Sequence, residues 1–227
     1  MKIQLDFGAV LSEWPLLLTG VGWTLALTTA AVVVGTALGI ACAWVRARGF
    51  GAIAAPAWLR ATVSAYVELI RNTPFIVQLF FIFFGLPAAG FKLSAETASF
   101  IAMVINLGAY ATEIIRAGLE ATPKGQMEAA QSLALSGRQT FLWVVLPPAL
   151  KKVWPSLVSQ IVIVMLGSSV CGQISTQELS YAADLIQSRN FRSFEAFIVV
   201  GSIYLALAIA ARQFLNWAGA RFLFGRR

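Results

Sequence analysis

The sequence has no histidine and very little charge: of 227 residues, only 12% are Asp, Glu, Lys or Arg. Without histidine it lacks the usual imidazole base and metal ligand. Its two cysteines, Cys42 and Cys171, are far apart and lie in apolar runs. That excludes a disulfide framework or a paired-Cys metal site and leaves two small buried residues. Neither Gly-x-Ser-x-Gly nor the phosphate loop G-x-x-x-x-G-K-[ST] occurs, so the chain does not bind and hydrolyse ATP by itself in the usual way. Any driving energy must come from an ion gradient or a partner. No internal repeat, low-complexity tract or second domain stands out, and residues 1–227 read as one domain. A cleaved signal peptide is not supported either, because Asp6 and Glu13 follow the first basic residue and the apolar run is too long. "GIAC" before Cys42 resembles a lipoprotein cleavage site only loosely and lies too deep.

What is abundant is apolar surface, at 59% hydrophobic residues and a mean hydropathy of +0.77. A soluble domain carries about twice this charge, so the chain reads as an integral membrane protein. The net charge of +7 would also suit a nucleic-acid partner; in a membrane protein it reads as basic residues flanking helices on the cytoplasmic side.

Gaps between charges mark the spans. A helix needs roughly 20 apolar residues to cross the hydrocarbon, and five are expected at about 18–45, 61–87, 97–118, 149–172 and 195–217. The third and fifth need Glu113, Arg116 or Arg212 to snorkel at an edge. With the N-terminus outside, twelve basic residues fall on the inner side, from Arg46 to Arg227. Only Lys2, Lys92, Arg189 and Arg192 fall outside, and Arg71 lies within a span. That bias predicts a periplasmic N-terminus and a cytoplasmic C-terminus. "LSEWPLLL" (11–18) suggests a short interfacial helix before the first span, with Trp14 at the headgroups.

Between spans three and four lies a polar hairpin, at about 122–147. Thr122-Pro123 suggests an N-cap with proline at the first helical position. Gln126 to Leu135 then form a short amphipathic helix, with Met127, Ala130, Leu133 and Ala134 on one face. Ser136-Gly137 stops it, with Gly137 in the left-handed conformation. A second short helix, Arg138 to Val145, ends at Pro147-Pro148. A small rigid helix protruding from the membrane suits a groove on another protein; a helix that merely joins two spans fits the same pattern.

Inside the spans, Pro74 removes a backbone donor, frees the carbonyl of Ile70 and disfavours helix at Thr73. A break at that depth is tolerated where the backbone lines a cavity or is buried in protein. Free donors there meet a carboxylate and free carbonyls meet an ammonium; a kink satisfied by a neighbouring helix is the alternative. Asn106, Ser168 and Ser169 are polar groups that either converge on such a cavity or bond between helices. Glu68 with Arg71, and Glu113 with Arg116, are opposite charges three apart that can neutralise each other. Glu120 and Lys124 suit a solvated surface.

"GQMEAAQSLALSG" (125–137) followed by "VVLP" (144–147) resembles the coupling motif of the permease subunits of ABC importers. "VELIRNTPFIVQLFFIFFGLP" (67–87) and "NLGAYATEIIRAGLEATPKGQMEAAQSLALSG" (106–137) resemble signatures of the polar amino acid subgroup. The resemblance runs from about Gly20 to Gln213. It implies an all-α integral membrane protein of the type I ABC importer permease fold, with five transmembrane helices and a cytoplasmic coupling hairpin between the third and fourth. It also implies a bacterial inner-membrane subunit, not itself an enzyme, that passes a polar amino acid delivered by a periplasmic binding protein. Its partners would be two ATP-binding cassette subunits, a second permease of the same or a homologous chain, and membrane lipid, with no nucleic acid. The chain itself would hold no cofactor, ATP-Mg belonging to the partner ATPase. The expected substrate-binding set is Thr73, Phe75, Asn106, Gly167, Ser168 and Ser169, with Glu68 and Arg71 as an intramembrane charge pair. Gly125, Gln126, Glu128, Ala129, Ala130 and Gly137 form the expected ATPase-coupling set. One departure stands out: the family commonly has Lys-Asp/Asn-Thr/Ser-Ser-Leu in span four, where this chain has Leu166-Gly167-Ser168-Ser169-Val170. A carrier or channel driven by an ion gradient is the competing class, and a docking hairpin with no internal repeat argues against it.

Overall fold

The computed structural model describes residues 5–47, 55–223 and 225. Lys2, Arg48, Arg226 and Arg227, counted above for topology, lie outside the described residues. In chain order the helices are α1 (Gly8–Leu11), α2 (Trp14–Arg46), α3 (Ala57–Arg71), α4 (Phe75–Phe80) and α5 (Leu86–Ala88). There follow α6 (Ala95–Glu120), α7 (Lys124–Ser132), α8 (Gly137–Gln139), α9 (Leu146–Gly167), α10 (Leu179–Asn190) and α11 (Ser193–Ala218). Wider π-helical turns at Phe81–Gly85, Thr140–Val145 and Gly219–Leu223, and a 3-10 segment at Ser168–Ile174, extend several of them.

Among the described residues four continuous helices are long and apolar enough to cross a membrane: Trp14–Arg46, Ala95–Glu120, Gly137–Ile174 and Ser193–Phe222. The pair Ala57–Arg71 and Phe75–Ala88, bent by 113° at its break, forms a fifth, broken span or a re-entrant loop. Four of the five expected spans fall on these continuous helices, and the expected 61–87 span falls on the bent pair. Residues 11–18 are not a separate interfacial helix, because α2 already begins at Trp14. Pro15 is tolerated there because the first turn needs no backbone donor.

Pro147-Pro148 do not end the hairpin's second arm either: helix runs from Gly137 through to Ile174. The π-helical turn at Thr140–Val145 shifts the hydrogen-bond register just before the prolines, which then occupy the first turn of α9.

The chain groups into two compact units, each drawing on three stretches. One comprises Met1–Ala31, Phe75–Met103 and Val162–Arg212. Its core joins Val10 and Leu17 to Leu179, Ala182, Ala183 and Ile186 of α10, and to Ala196, Val200 and Tyr204 of α11. Gly20 is required here, since a Cβ would come within 2.8 Å of the Leu179 Cα. The other comprises Val32–Pro74, Val104–Ile161 and Gln213–Arg227. Ala43, Ala47, Ala111, Ile115 and Leu119 pack there with Phe141, Val145, Leu146, Ala149 and Leu157. Alanine and glycine let these helices approach closely, as membrane packing favours; a Cβ on Gly39 would lie 2.6 Å from that of Ala111. Trp44 stacks on Phe141 with ring centroids 5.1 Å apart.

The α10 helix has no counterpart in the expected elements. Its N-cap is Glu178, whose carboxylate accepts the backbone N–H groups of Ser180 and Tyr181 at 2.9 and 2.8 Å. Asp or Ser would be the ordinary signal at a cap. The spacing Leu179, Ala182, Ala183, Ile186 is nonetheless helical, and all four side chains are buried.

Candidate functional site

The hairpin is built on its own packing. Pro123, extended at φ −61° and ψ 139°, is the cap residue, so proline precedes the first helical position. Helix α7 packs on the Thr140–Val145 turn. Ala130 is fully buried and Met127 packs against the unit core. Gly125, Glu128 and Ala129 face outward. Gln126 is half-buried, and its side-chain oxygen has no hydrogen-bond partner among the described residues. Glu128 is the fifth helical residue, beyond the first turn where the helix dipole acts most strongly. Leu133 and Trp143 are 73% and 66% exposed. Leu133 thus leaves the apolar face it was expected to share, because the helix has ended at Ser132.

The residue that turns the chain is not Gly137. Ala134 takes the left-handed conformation, at φ 50°. Its N–H donates to the Gln131 carbonyl at 2.9 Å, and that of Leu135 donates to the Ala130 carbonyl at 3.1 Å. This is a Schellman ending with alanine where glycine is usual. Gly137 instead opens α8 behind a capping box: Ser136 Oγ accepts the Gln139 N–H, and Gln139 Oε1 accepts the Ser136 N–H. An alanine held left-handed costs about 1 kcal/mol relative to glycine. Ala134→Gly is accordingly expected to slow amide exchange over residues 124–135 about fivefold. Unchanged or faster exchange would show that residue 134 does not limit the turn.

Charges collect at one carboxylate. Glu113, 17% exposed, pairs with Arg46, with Arg116 at 2.9 Å and with Arg71 at 3.8 Å. Arg116 also pairs with Glu120, and Arg71 lies over the Tyr110 ring, 5.7 Å from its centroid. The expected Glu68–Arg71 pair is not formed. Arg71 is the last residue of α3 and reaches α6, while Glu68 is exposed. One carboxylate thus ties together the ends of α2, α3 and α6, with Tyr66 adding a 2.7 Å hydrogen bond to the Ile105 carbonyl.

At Pro74 the helix breaks rather than kinks. Asn72 leaves helical geometry at φ −104° and ψ 10°, and α4 begins at Phe75. Side chains satisfy the carbonyls at the break: Asn72 Nδ2 donates to Glu68 O and Thr73 Oγ1 to Leu69 O, both at 2.8 Å. Thr73 and Asn106, both half-buried, belong to one compact unit. Phe75, Gly167, Ser168 and Ser169 belong to the other, where α4 packs against the 168–174 segment. Ser168 is fully buried and donates to the Met165 carbonyl at 2.6 Å. Gly167 and Ser169 are half-buried, and a side chain at Gly167 would meet open space.

A polar cluster escaped the sequence reading. Glu178 is completely buried and takes a third hydrogen bond from the Tyr204 hydroxyl. Burial pushes its carboxyl upward, against the pull of these donors. The Leu179 N–H donates to Thr24 Oγ1 at 3.2 Å, and Ser99 bonds Thr176 at 2.7 Å. Together they fasten α2, α10 and α11 of that unit. An isolated Glu outside any apolar run reads as solvated, so only the α10 periodicity could have revealed it.

A bent helix pair at Pro74, a short helix with outward-facing Gly125, Glu128 and Ala129, and two helix-packed units together narrow the possibilities. Residues 35–223 match the family described as "Binding-protein-dependent transport system inner membrane component". The chain belongs to that family. It is 39% identical over 158 residues to the "Probable glutamine ABC transporter permease protein GlnM" of Bacillus subtilis (strain 168), spanning 70% of this chain and 73% of that one. To the "Glutamine transport system permease protein GlnP" of Escherichia coli (strain K12) it is 33% identical over 210 residues, 91% of this chain and 93% of the other. Among solved structures, an amino acid ABC transporter crystallised with histidines superposes with a TM-score of 0.82 at 33% identity, covering 95% of this chain and 98% of that one. An inward-facing MetNI methionine ABC transporter, at 22% identity, shares the fold with a TM-score of 0.68, covering 91% of this chain and 97% of that one. The permease is thus an all-α, multi-pass inner-membrane protein of the type I importer fold. It is a transport subunit that works with a separate ATPase and a binding protein.

Proposed function

We propose that this permease passes a polar amino acid, released by a periplasmic binding protein, across the inner membrane as one half of a permease pair. Two ATP-binding cassette subunits dock on the pair, and ATP-Mg binds there rather than on this chain. The observation that carries the reading is the hairpin. Ala130 and Met127 anchor α7 to the core, while Glu128, Ala129 and Leu133 face outward for a partner's groove. The likeness to glutamine permeases over about nine tenths of the chain supports an amino acid cargo over an ion-gradient carrier. Leu166-Gly167, where the family is usually polar, supports either a different substrate preference or a role as the less substrate-engaged half of a heterodimer.

The charge bias of the loops supports a cytoplasmic hairpin and a periplasmic N-terminus. Gln131, exposed on α7, is the place to test it. With Cys42 and Cys171 buried, Gln131→Cys is expected to resist an impermeant thiol reagent in intact cells and to react in broken ones. Reaction in intact cells would reverse the topology.

The break at Pro74 and the amide of Asn106 support a midplane site for a zwitterion. Asn106→Leu is expected to reduce uptake at limiting substrate about tenfold, the effect of one charge-assisted hydrogen bond, with the ATPase subunits still attached. Unchanged uptake would remove Asn106 from the pathway.

A further inference from the structure

A cleft of about 360 Å³ opens among the ends of α2, α3 and α6, all within one compact unit. Its walls carry Arg46, Arg60, Ser64, Arg116 and Glu120, with Ala47 and Leu119 as the apolar floor. That volume falls at the lower end of ligand-sized sites, about 300–1,000 Å³. Substrate translocation and coupling leave this cleft unused.

Its charges do not cancel. Arg46 and Arg116 share Glu113, and Arg116 also holds Glu120. Glu113 is also shared with Arg71, so two carboxylates stand against four guanidinium groups, of which Arg60 makes no ion pair among the described residues. Positive charge is therefore left over among the described residues, with the Arg60 guanidinium and the Ser64 hydroxyl on the cleft lining. Arg46 is only 18% exposed and Arg116 31%, so their charge acts through a poorly screened medium.

The cleft's position limits what can fill it. Arg46 ends α2, Arg60 lies in the first turn of α3, and Glu120 ends α6. These are the tips of three apolar helices, where a bilayer passes from hydrocarbon to headgroups. Trp58, two residues before Arg60, is 69% exposed, as suits an aromatic at that boundary.

We propose that this cleft binds a phosphate-bearing anion, and that an anionic phospholipid supplies it. Converging guanidinium forks match phosphate oxygens in bidentate pairs. Basic pockets between membrane helices are known to hold such headgroups. The cleft's place at the helix tips, with exposed Trp58 close by in sequence, favours a lipid headgroup over a free anion.

The test uses the assembled importer, purified and stripped of lipid in neutral detergent, with short-chain phosphatidylglycerol and inorganic phosphate as probes. Native mass spectrometry counts the bound probe, and thermal unfolding reports its effect. Phosphatidylglycerol is expected to bind and stabilise the complex, and Arg60→Gln to weaken that binding about tenfold. Arg60→Lys should fall between, keeping the charge but losing the fork. Ser64→Asp, which places a carboxylate in the cleft, gives the same loss should Arg60→Gln fail to fold. Inorganic phosphate without effect identifies a lipid; phosphate that binds with the same dependence on Arg60 assigns the cleft to a free anion instead. Phosphatidylglycerol bound equally by the native chain, Arg60→Gln and Ser64→Asp would overturn the site.

Discussion

Glu113→Ala is expected to strip roughly 2–3 kcal/mol from the folded permease, between the cost of breaking an exposed ion pair and a buried one, because Glu113 is half-buried. The loss comes less from the missing contacts than from what remains. Arg46, Arg71 and Arg116 would converge on an empty position inside a span helix, with only Glu120 nearby to offset one of them. Unfolding in detergent by heat or denaturant measures the change. Adding Arg46→Met to the same chain should return part of the loss, because it removes a charge and leaves an apolar stem of similar length. A drop of less than about 1 kcal/mol would place Glu113 with ordinary exposed pairs and remove it as the hub of α2, α3 and α6.

Ala130→Leu is expected to separate ATP hydrolysis from transport. Ala130 is 1% exposed, where α7 meets the Thr140–Val145 turn. Three added carbons there have no space and cost about 1–3 kcal/mol of overpacking, which α7 relieves by shifting outward. The docking side chains would keep their chemistry and lose their position. Substrate uptake should fall about tenfold or more, the factor that 1.4 kcal/mol of displacement supplies. The attached ATPase should continue to hydrolyse, no longer stimulated by substrate. Glu128→Arg is the complementary change: it leaves α7 in place, reverses an exposed charge, and should act through docking affinity. Normal substrate-stimulated uptake by Ala130→Leu would mean that the hairpin's position does not matter to coupling.

The spans and the broken helix were legible because hydrocarbon imposes a length and an absence of charge that any chain must obey. Pro74 announced its break because a missing donor is a covalent fact. The features missed depend on partners distant in sequence. Arg71 has Glu68 three residues away, yet α3 ends beneath it and its guanidinium reaches α6. Spacing along one helix cannot reveal a competing acid on another. Glu178 carries no mark in the sequence because the donors that satisfy it come from its own helix start and from Tyr204, 26 residues later. At the hairpin, glycine is the usual left-handed residue, and Gly137 was available three positions past the true turn. Ala134 takes that conformation because its backbone bonds to Gln131 and Leu135's to Ala130 outweigh the Cβ penalty. The residues expected to couple fall on the hairpin, but the sequence does not show which of them is exposed.

The uninterrupted helix through Pro147-Pro148 has a mechanical meaning. Had the prolines ended the hairpin's second arm, a push on it would have dissipated in a flexible joint. Residues 137–161 instead form a strut of about 38 Å at 1.5 Å per residue, running from the capping box at Ser136 into the fourth span. Its stiffness is uneven. The π-helical turn at Thr140–Val145 and the missing donors of Pro147, Pro148 and Pro155 leave fewer backbone bonds to resist bending. A push at the tip would therefore travel along the axis as compression, while the proline-bearing section would bend like a leaf spring and turn that push into a tilt of the fourth span.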